Sequence, residues 1–250
     1  MSNTPEMQIA TREAKNKLDE VAVVIELTLI SIIQAMALGV LVTFSIPVVT
    51  EFQLQYWPYV VLGLLAILIF WSRTLIHTLS FIGWPLEMGH TYIYFGATLV
   101  EGLALSQVNN PANWYALNAV YFAIAWFLYY WDRRVMMGRA PEYNTSTEKQ
   151  LHSDMIADQE HNLKFFMPAG VVFHVVAWWL VVTFPTIFID HYWHVALALY
   201  SVAVGIWYLG QGAGILHRRQ NWILARYTSQ RLPIVKEEEQ ILHVPQPQPD

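Results

Sequence analysis

The sequence predicts an all-α, polytopic integral membrane protein: a bundle of six transmembrane helices arranged as three hairpins, with both termini in the cytoplasm. Of its 250 residues, 55% are hydrophobic and only 13% are charged, whereas soluble domains carry about 25% charged residues. Six apolar segments each reach about 20 residues, the length that crosses a bilayer core. All 14 Lys and Arg residues also fall where a six-span chain returns to one side of the membrane.

The six apolar segments divide the chain into three regions. Residues 1–20 form a polar N-terminal segment, 21–216 the transmembrane domain, and 217–250 a C-terminal tail. Within the domain, residues 132–164 form one long polar loop. The predicted spans are 22–48, 57–77, 84–106, 113–131, 165–185 and 192–216.

The Lys and Arg residues predict the orientation. They lie in the N-terminal segment, at the end of the second span (Arg73), in or beside the long loop, and after the sixth span. With six spans all of these places are on one side, and the three opposite loops contain no Lys or Arg. Because cytoplasmic loops carry an excess of positive residues, we expect both termini and the long loop in the cytoplasm, in a membrane of the bacterial inner type.

The long loop contains a helical pattern of its own. Leu151, Met155, Ile156 and Leu163 recur at helical spacing within residues 145–165. This spacing predicts a short amphipathic helix outside the membrane.

The third span carries a polar ladder. At about 100° per residue its five polar members fall within one arc of roughly 80°, and the first and last are about 21 Å apart at the rise of an α-helix. An ionisable group at mid-bilayer costs at least about 2.5–3.5 kcal/mol, so these side chains must face protein, water or an ion. The ladder consists of Glu87, His90, Tyr94, Thr98 and Glu101.

Three explanations of the ladder stay open. It is a path for protons or a small solute, with Glu26, Arg73 and Glu87 forming its cytoplasmic mouth. It is a metal site, because Glu87 and His90 have the i, i+3 spacing of carboxylate-bridged di-metal bundles. Alternatively, the ladder is a buried polar contact surface, hydrogen-bonded to other helices or to another subunit. Arg73 then only neutralises a neighbouring carboxylate at the membrane interface.

A bound haem is a further possibility. Two axial imidazoles must come from two helices at matching depth, and His90 and His174 are the candidates, although their depths differ by about a third of a span. The chain has no cysteine, which excludes thiolate metal sites, iron–sulfur clusters held by Cys, and covalent haem. We therefore expect no cofactor in the simplest case, with haem or a metal as the alternatives.

Several function classes are disfavoured by missing motifs. There is no phosphate-binding loop, HExxH pair or serine elbow, so we do not expect an enzyme. The sequence lacks a basic patch of the kind that binds nucleic acid, so we expect no nucleic-acid partner. The expected partners are the lipid bilayer and other subunits, either copies of this chain or different proteins.

The leading hypothesis is a transporter or channel subunit that moves protons or a small solute along the polar face of the third span. The alternatives are a non-catalytic subunit or scaffold of a larger membrane complex, and a membrane subunit that binds a redox group, pigment or metal.

Overall fold

A computed structural model describes residues 5–80, 88–140 and 145–242, and every regular element in those ranges is helical. Short 3₁₀ and π turns at Leu54–Tyr56, Asn162–Phe166 and Thr186–Asp190 join or extend the helices. The helices are α1 Pro5–Thr50, α2 Trp57–Ser80, α3 Met88–Leu105, α4 Pro111–Arg139, α5 Ser146–His161, α6 Met167–Thr183 and α7 Trp193–Leu242.

Local side-chain chemistry sets two of the helix starts. The Asn110 side chain accepts a hydrogen bond from the Asn113 backbone N–H at 3.1 Å, and Pro111 occupies the first turn of α4, where its missing N–H costs nothing. At the start of α5, Thr145 and Glu148 form a reciprocal capping box, which satisfies two backbone N–H groups that no helical carbonyl can reach.

Four of the described helical stretches are long and apolar enough to cross a membrane: Leu27–Thr50, Leu54–Thr78, Glu148–Thr183 and Trp193–Asn221. They overlap the first, second, fifth and sixth predicted spans, although Glu148–Thr183 begins 17 residues before the predicted fifth span. A shorter apolar helix, Tyr92–Leu105, lies within the third predicted span. Helix α4 is not among the four. Its mean hydropathy is lowered by two asparagines and by several tyrosines and tryptophans.

The prediction of a helix within the long loop is confirmed, although this helix ends at His161 and Leu163 lies in the π turn that follows. It is α5, whose Leu151 and Met155 are buried against Met136 of α4, with Ile156 partly buried beside them. Through the π turn, α5 continues into α6. At the other end of the chain, α7 runs through position 217 without a break, so the predicted border between domain and tail does not coincide with a helix end.

The packing differs from three simple hairpins. Helix α6 packs chiefly against α4, and α7 chiefly against α2, while α6 and α7 barely touch. Aromatic pairs such as Phe173–Tyr200, with ring centroids 5.4 Å apart, bridge the last two helices instead of close backbone packing. The interhelical space that results is the cavity described below.

The largest hydrophobic cluster identifies one end of the bundle. Val48, Tyr59, Val108, Trp114 and Ala198 are all buried in it. Because these residues flank the turns after α1, α3 and α6, the three turns lie together. We call this the turn end, and the end that carries α5 the α5 end.

Candidate functional site

A cavity of about 470 Å³ lies between α2, α4, α6 and α7, and α5 borders it at one end. Its volume is within the roughly 300–1,000 Å³ of ligand-binding sites. Most of the wall is aliphatic or aromatic. Representative wall residues are Leu65, Ile69, Phe70, Phe122, Phe173 and Val204.

At the α5 end an ion pair joins α2 to α5. Arg73 Nη1 donates to Asp158 Oδ2 at 3.1 Å, and the side chains are only 13% and 24% exposed. The Arg73 guanidinium also lies over the Tyr208 ring of α7, 4.2 Å from its centroid. The Tyr208 hydroxyl in turn donates to Asn162 Oδ1 at 2.7 Å and lies 3.2 Å from the Tyr129 hydroxyl of α4. One charged pair thus connects four helices and the π turn.

A second polar group flanks the ion pair. The Gln159 amide of α5 donates to His77 Nδ1 of α2 at 3.2 Å, and His77 Nε2 lies 3.9 Å from a carboxylate oxygen of Asp132 of α4. Arg219 of α7 is buried and donates to the Asp154 backbone carbonyl at 3.0 Å. Arg73, Arg219, Asp132 and Asp158 all line the cavity, so with a neutral His77 the charges at this end balance.

Isolated polar groups interrupt the apolar wall further in. Buried His174 of α6 donates from Nδ1 to the Gly170 carbonyl at 2.8 Å, and its ring stacks on Phe122 at 4.8 Å. A carbonyl can only accept, so neutral His174 carries its proton on Nδ1, and Nε2 is left as an acceptor toward the cavity. Asn118 of α4 donates to the Trp114 carbonyl at 2.9 Å, which leaves its side-chain oxygen as a second acceptor.

Aromatic residues close the turn end. Trp114 lines the cavity and packs edge-on against Tyr59 with centroids 5.5 Å apart. The Tyr59 hydroxyl lies 3.0 Å from His194 Nδ1 and 3.4 Å from the Tyr115 hydroxyl. Tyr59, Tyr115 and His194 are fully buried, so this end is a packed plug in which the polar atoms hydrogen-bond one another.

The described part of the predicted polar ladder faces protein. Tyr94 is buried, packs on Phe70 of α2 at 5.0 Å and borders the cavity. Thr98 donates to the Tyr94 carbonyl of its own helix. Glu101 is 2% exposed and accepts a hydrogen bond from the Gln34 amide of α1. The ladder therefore divides between the cavity and the α1–α3 interface.

The other candidates fall partly outside the described residues. Glu87 and the side chains of Glu26 and His90 lie there, so neither the Glu87–His90 metal spacing nor the His90–His174 haem pair can be placed. Within the described ranges, no group of three or more His, Cys, Asp or Glu side chains could hold a metal ion.

Arg73 has a different partner from the one expected. The sequence suggested Glu26, whose side chain lies outside the described residues, whereas the carboxylate that the structure shows on Arg73 is Asp158. Sequence reasoning missed Asp158 and Asn162, although a signal existed. Leu151 and Met155 lie on the buried face of α5. The positions three, four and seven residues after Met155 continue this face, and they are Asp158, Gln159 and Asn162. The buried face therefore changes from apolar to polar at the end of the cavity.

Comparisons of the chain with protein-family models, with curated proteins and with solved structures found no match.

Proposed function

We propose that this chain is a small membrane transporter that binds a neutral, mainly apolar solute in the cavity between α2, α4, α6 and α7. The observation that carries the proposal is the cavity itself, about 470 Å³ with a largely apolar wall and a few acceptors. Ligand sites typically combine such a wall with a small number of fixed polar groups. A purely structural bundle would have packed this space with side chains, because protein interiors hold few voids larger than a water molecule.

The charge balance favours a neutral solute. Arg73 is already paired with Asp158, and the two arginines that line the cavity are matched by two aspartates. A charged solute would have to lose its hydration without gaining a free counter-charge, which is expensive in a low-dielectric site. His174 Nε2 and the Asn118 side-chain oxygen instead offer hydrogen-bond acceptors. These suit a solute with an apolar body and one or two hydrogen-bond donors.

The entrance that we propose lies between α6 and α7. Tyr200 and Trp207 both line the cavity, yet they are 60% and 54% exposed. Aromatic pairs cross this gap: Phe173 packs on Tyr200 at 5.4 Å, and Phe166 stacks on Tyr208 at 3.8 Å. Rotation of a few rings would open the gap sideways, which suits a solute that reaches the protein from the lipid.

Six membrane crossings, with the α5 end and both termini in the cytoplasm, are part of the same proposal. Four apolar stretches, the shorter apolar helix α3 and the amide-containing helix α4 supply the crossings, and Lys and Arg are confined to the α5 end and the terminal segments. The polar mouth of the cavity, with Arg73 and Asp158, then opens toward the cytoplasm and the aromatic plug closes the opposite side.

Three probes of equal size test the binding step: benzyl alcohol, benzylamine and benzoate, measured as ligand-induced rises in the melting temperature of protein in nanodiscs. Only the neutral probe should stabilise the protein, and counterflow in liposomes should then show its exchange. Val204→Trp fills the cavity and should abolish both effects. Ile206→Trp, on the same helix but exposed and outside the cavity wall, is the matched control and should preserve them.

Two outcomes would contradict the proposal. If none of the probes stabilises the protein, or if Val204→Trp and Ile206→Trp behave alike, the cavity is not a solute site. A protein that binds no probe but purifies with stoichiometric membrane partners would instead favour the scaffold alternative.

A cofactor-binding subunit is the second candidate, and His174 is the observation that favours it. Its Nδ1–H donates to a backbone carbonyl, the arrangement that orients the other nitrogen of a metal-binding histidine. The absorption spectrum of the purified protein tests this candidate. A Soret or other pigment band that disappears in His174→Phe would support it, and a colourless protein with an empty metal assay would exclude it.

A further inference from the structure

A second buried polar site lies outside the cavity, where α1 meets α3. Gln34 Nε2 donates to Glu101 Oε2 at 3.4 Å, and the two residues are 5% and 2% exposed. Gln34 lies inside the apolar stretch Leu27–Thr50, so the contact is within the membrane-spanning part of α1. Neither residue lines the cavity. We call Glu101 and Gln34 the acid–amide pair.

Two oxygens of the pair are unsatisfied. Glu101 Oε1 and Gln34 Oε1 are both buried, and no donor in the described part of the chain reaches either of them. Exchanging the oxygen and nitrogen of the Gln34 amide would not help, because an amide oxygen would then face an ionised carboxylate. Leaving two buried acceptors without donors is unfavourable.

The sequence places no Lys, Arg or His in the turns of α1 and α3 next to the pair. Positions 27–72 contain no Lys, Arg or His, and neither do positions 91–131. Besides Glu101, the groups that interact electrostatically with Tyr121 of α4 are Tyr94, Tyr129 and Tyr208, and tyrosine side chains are neutral at physiological pH. An ionised Glu101 would therefore be a buried charge without a counter-ion, which costs far more than a neutral buried acid.

A proton satisfies the pair completely. Placed on Glu101 Oε1, it can be donated to Gln34 Oε1, while the Gln34 amide continues to donate to Glu101 Oε2. The two groups then close a cyclic carboxylic acid–amide dimer, in which every inward-facing donor and acceptor is used. A metal cation fits less well, because hard cations in proteins are held by about six or more oxygens, and the nearby Thr98 hydroxyl is already bonded to its own helix.

We propose that Glu101 and Gln34 form a proton-binding site between α1 and α3, in which Glu101 is held as the neutral acid and its proton joins the two helices. The proton comes from the aqueous phase and returns to it when α1 and α3 separate, since an exposed Glu101 ionises at neutral pH. This site does not depend on solute binding in the cavity. In this proposal Glu101 binds and releases a proton, but the other residues of the polar ladder do not have to form a continuous proton path.

Infrared spectroscopy of the full chain in nanodiscs tests the site through the C=O stretch of protonated carboxyl groups. At neutral pH the wild type should show such a band, and Glu101→Gln should remove it while remaining folded, because two amides can form the same cyclic pair. Gln34→Leu should keep the band but shift it to higher frequency, because its carboxyl loses the amide partner. Glu160→Gln, in a partly exposed ion pair with Arg133 and Lys164, is the matched control and should leave the band unchanged.

Two results of the infrared experiment would overturn the proposal. A wild-type spectrum without the Glu101-dependent band at neutral pH would mean that the carboxylate is ionised. A band that vanishes when NaCl replaces choline chloride would assign the site to a metal cation instead of a proton. Circular dichroism of each variant separates loss of the band from loss of the fold.

Discussion

Replacing Asp158 with Ala should destabilise the bundle by removing the carboxylate that holds Arg73. Removing one partner of a fully buried ion pair costs about 3–5 kcal/mol, whereas exposed pairs contribute about 0–1 kcal/mol. The Arg73–Asp158 pair lies between these limits, with side chains 13% and 24% exposed. Because the guanidinium keeps its stack on Tyr208, we expect a loss of about 2 kcal/mol.

The melting temperature in nanodiscs measures this loss. For a chain of this size, about 2 kcal/mol corresponds to a fall of roughly 4–8 °C. Glu160→Ala removes a carboxylate from the same helix but from a more exposed ion pair, with side chains 30% and 32% exposed, so it should lower the melting temperature less than Asp158→Ala does. The double variant Arg73→Met with Asp158→Leu should recover most of the loss, because no charge is then left buried.

Equal melting temperatures for Asp158→Ala and Glu160→Ala would refute this reasoning, since they would show that burial does not strengthen the Arg73 pair. A double variant whose loss equals the sum of the losses in Arg73→Met alone and Asp158→Leu alone would also contradict it, because the two side chains would then not interact.

Three further predictions concern the same framework. Gly170→Ala places a methyl group in overlap with the Phe122 ring, so we expect a loss of about 1–3 kcal/mol, seen as a lower melting temperature than that of Gly102→Ala, whose added carbon meets nothing within 4 Å. Tyr208→Phe removes the donor to Asn162 and should cost about 1–3 kcal/mol in the same assay, while unchanged stability would show that the bond is unimportant. Thr145→Ala removes the capping side chain of α5, a loss of about 1 kcal/mol that should appear as faster hydrogen exchange confined to α5; uniform acceleration along the chain would contradict a local capping role.

The α5 helix explains why the polar end of the cavity is ordered. Its apolar residues Leu151 and Met155 attach it to α4, and this places Asp158 against Arg73. The π turn that follows widens the helix by one residue and faces Asn162 toward Tyr208. Such π turns are frequent at functional sites, and here the turn lies where the cytoplasmic helix becomes a membrane helix in the proposed topology.

The polar ladder shows what helical periodicity can and cannot predict about a site. The spacing of Tyr94, Thr98 and Glu101 predicted a common face turned away from lipid, and Tyr94 and Glu101 are indeed buried. Periodicity within α3 contains no information about what packs against that face. Only the arrangement of α1 and α2 decided that Glu101 meets Gln34 while Tyr94 meets Phe70.

The sequence by itself determined the all-helical fold class, four apolar helices long enough to cross a membrane, and the amphipathic helix α5, because these follow from local hydrophobic periodicity and length. Only the tertiary structure decided that α6 packs on α4 and α7 on α2, which opens the cavity, and that Asp158 is the partner of Arg73. Arg73 and Asp158 are 85 positions apart in the sequence. These contacts depend on how whole helices pack side by side, and no local pattern along the chain records that choice.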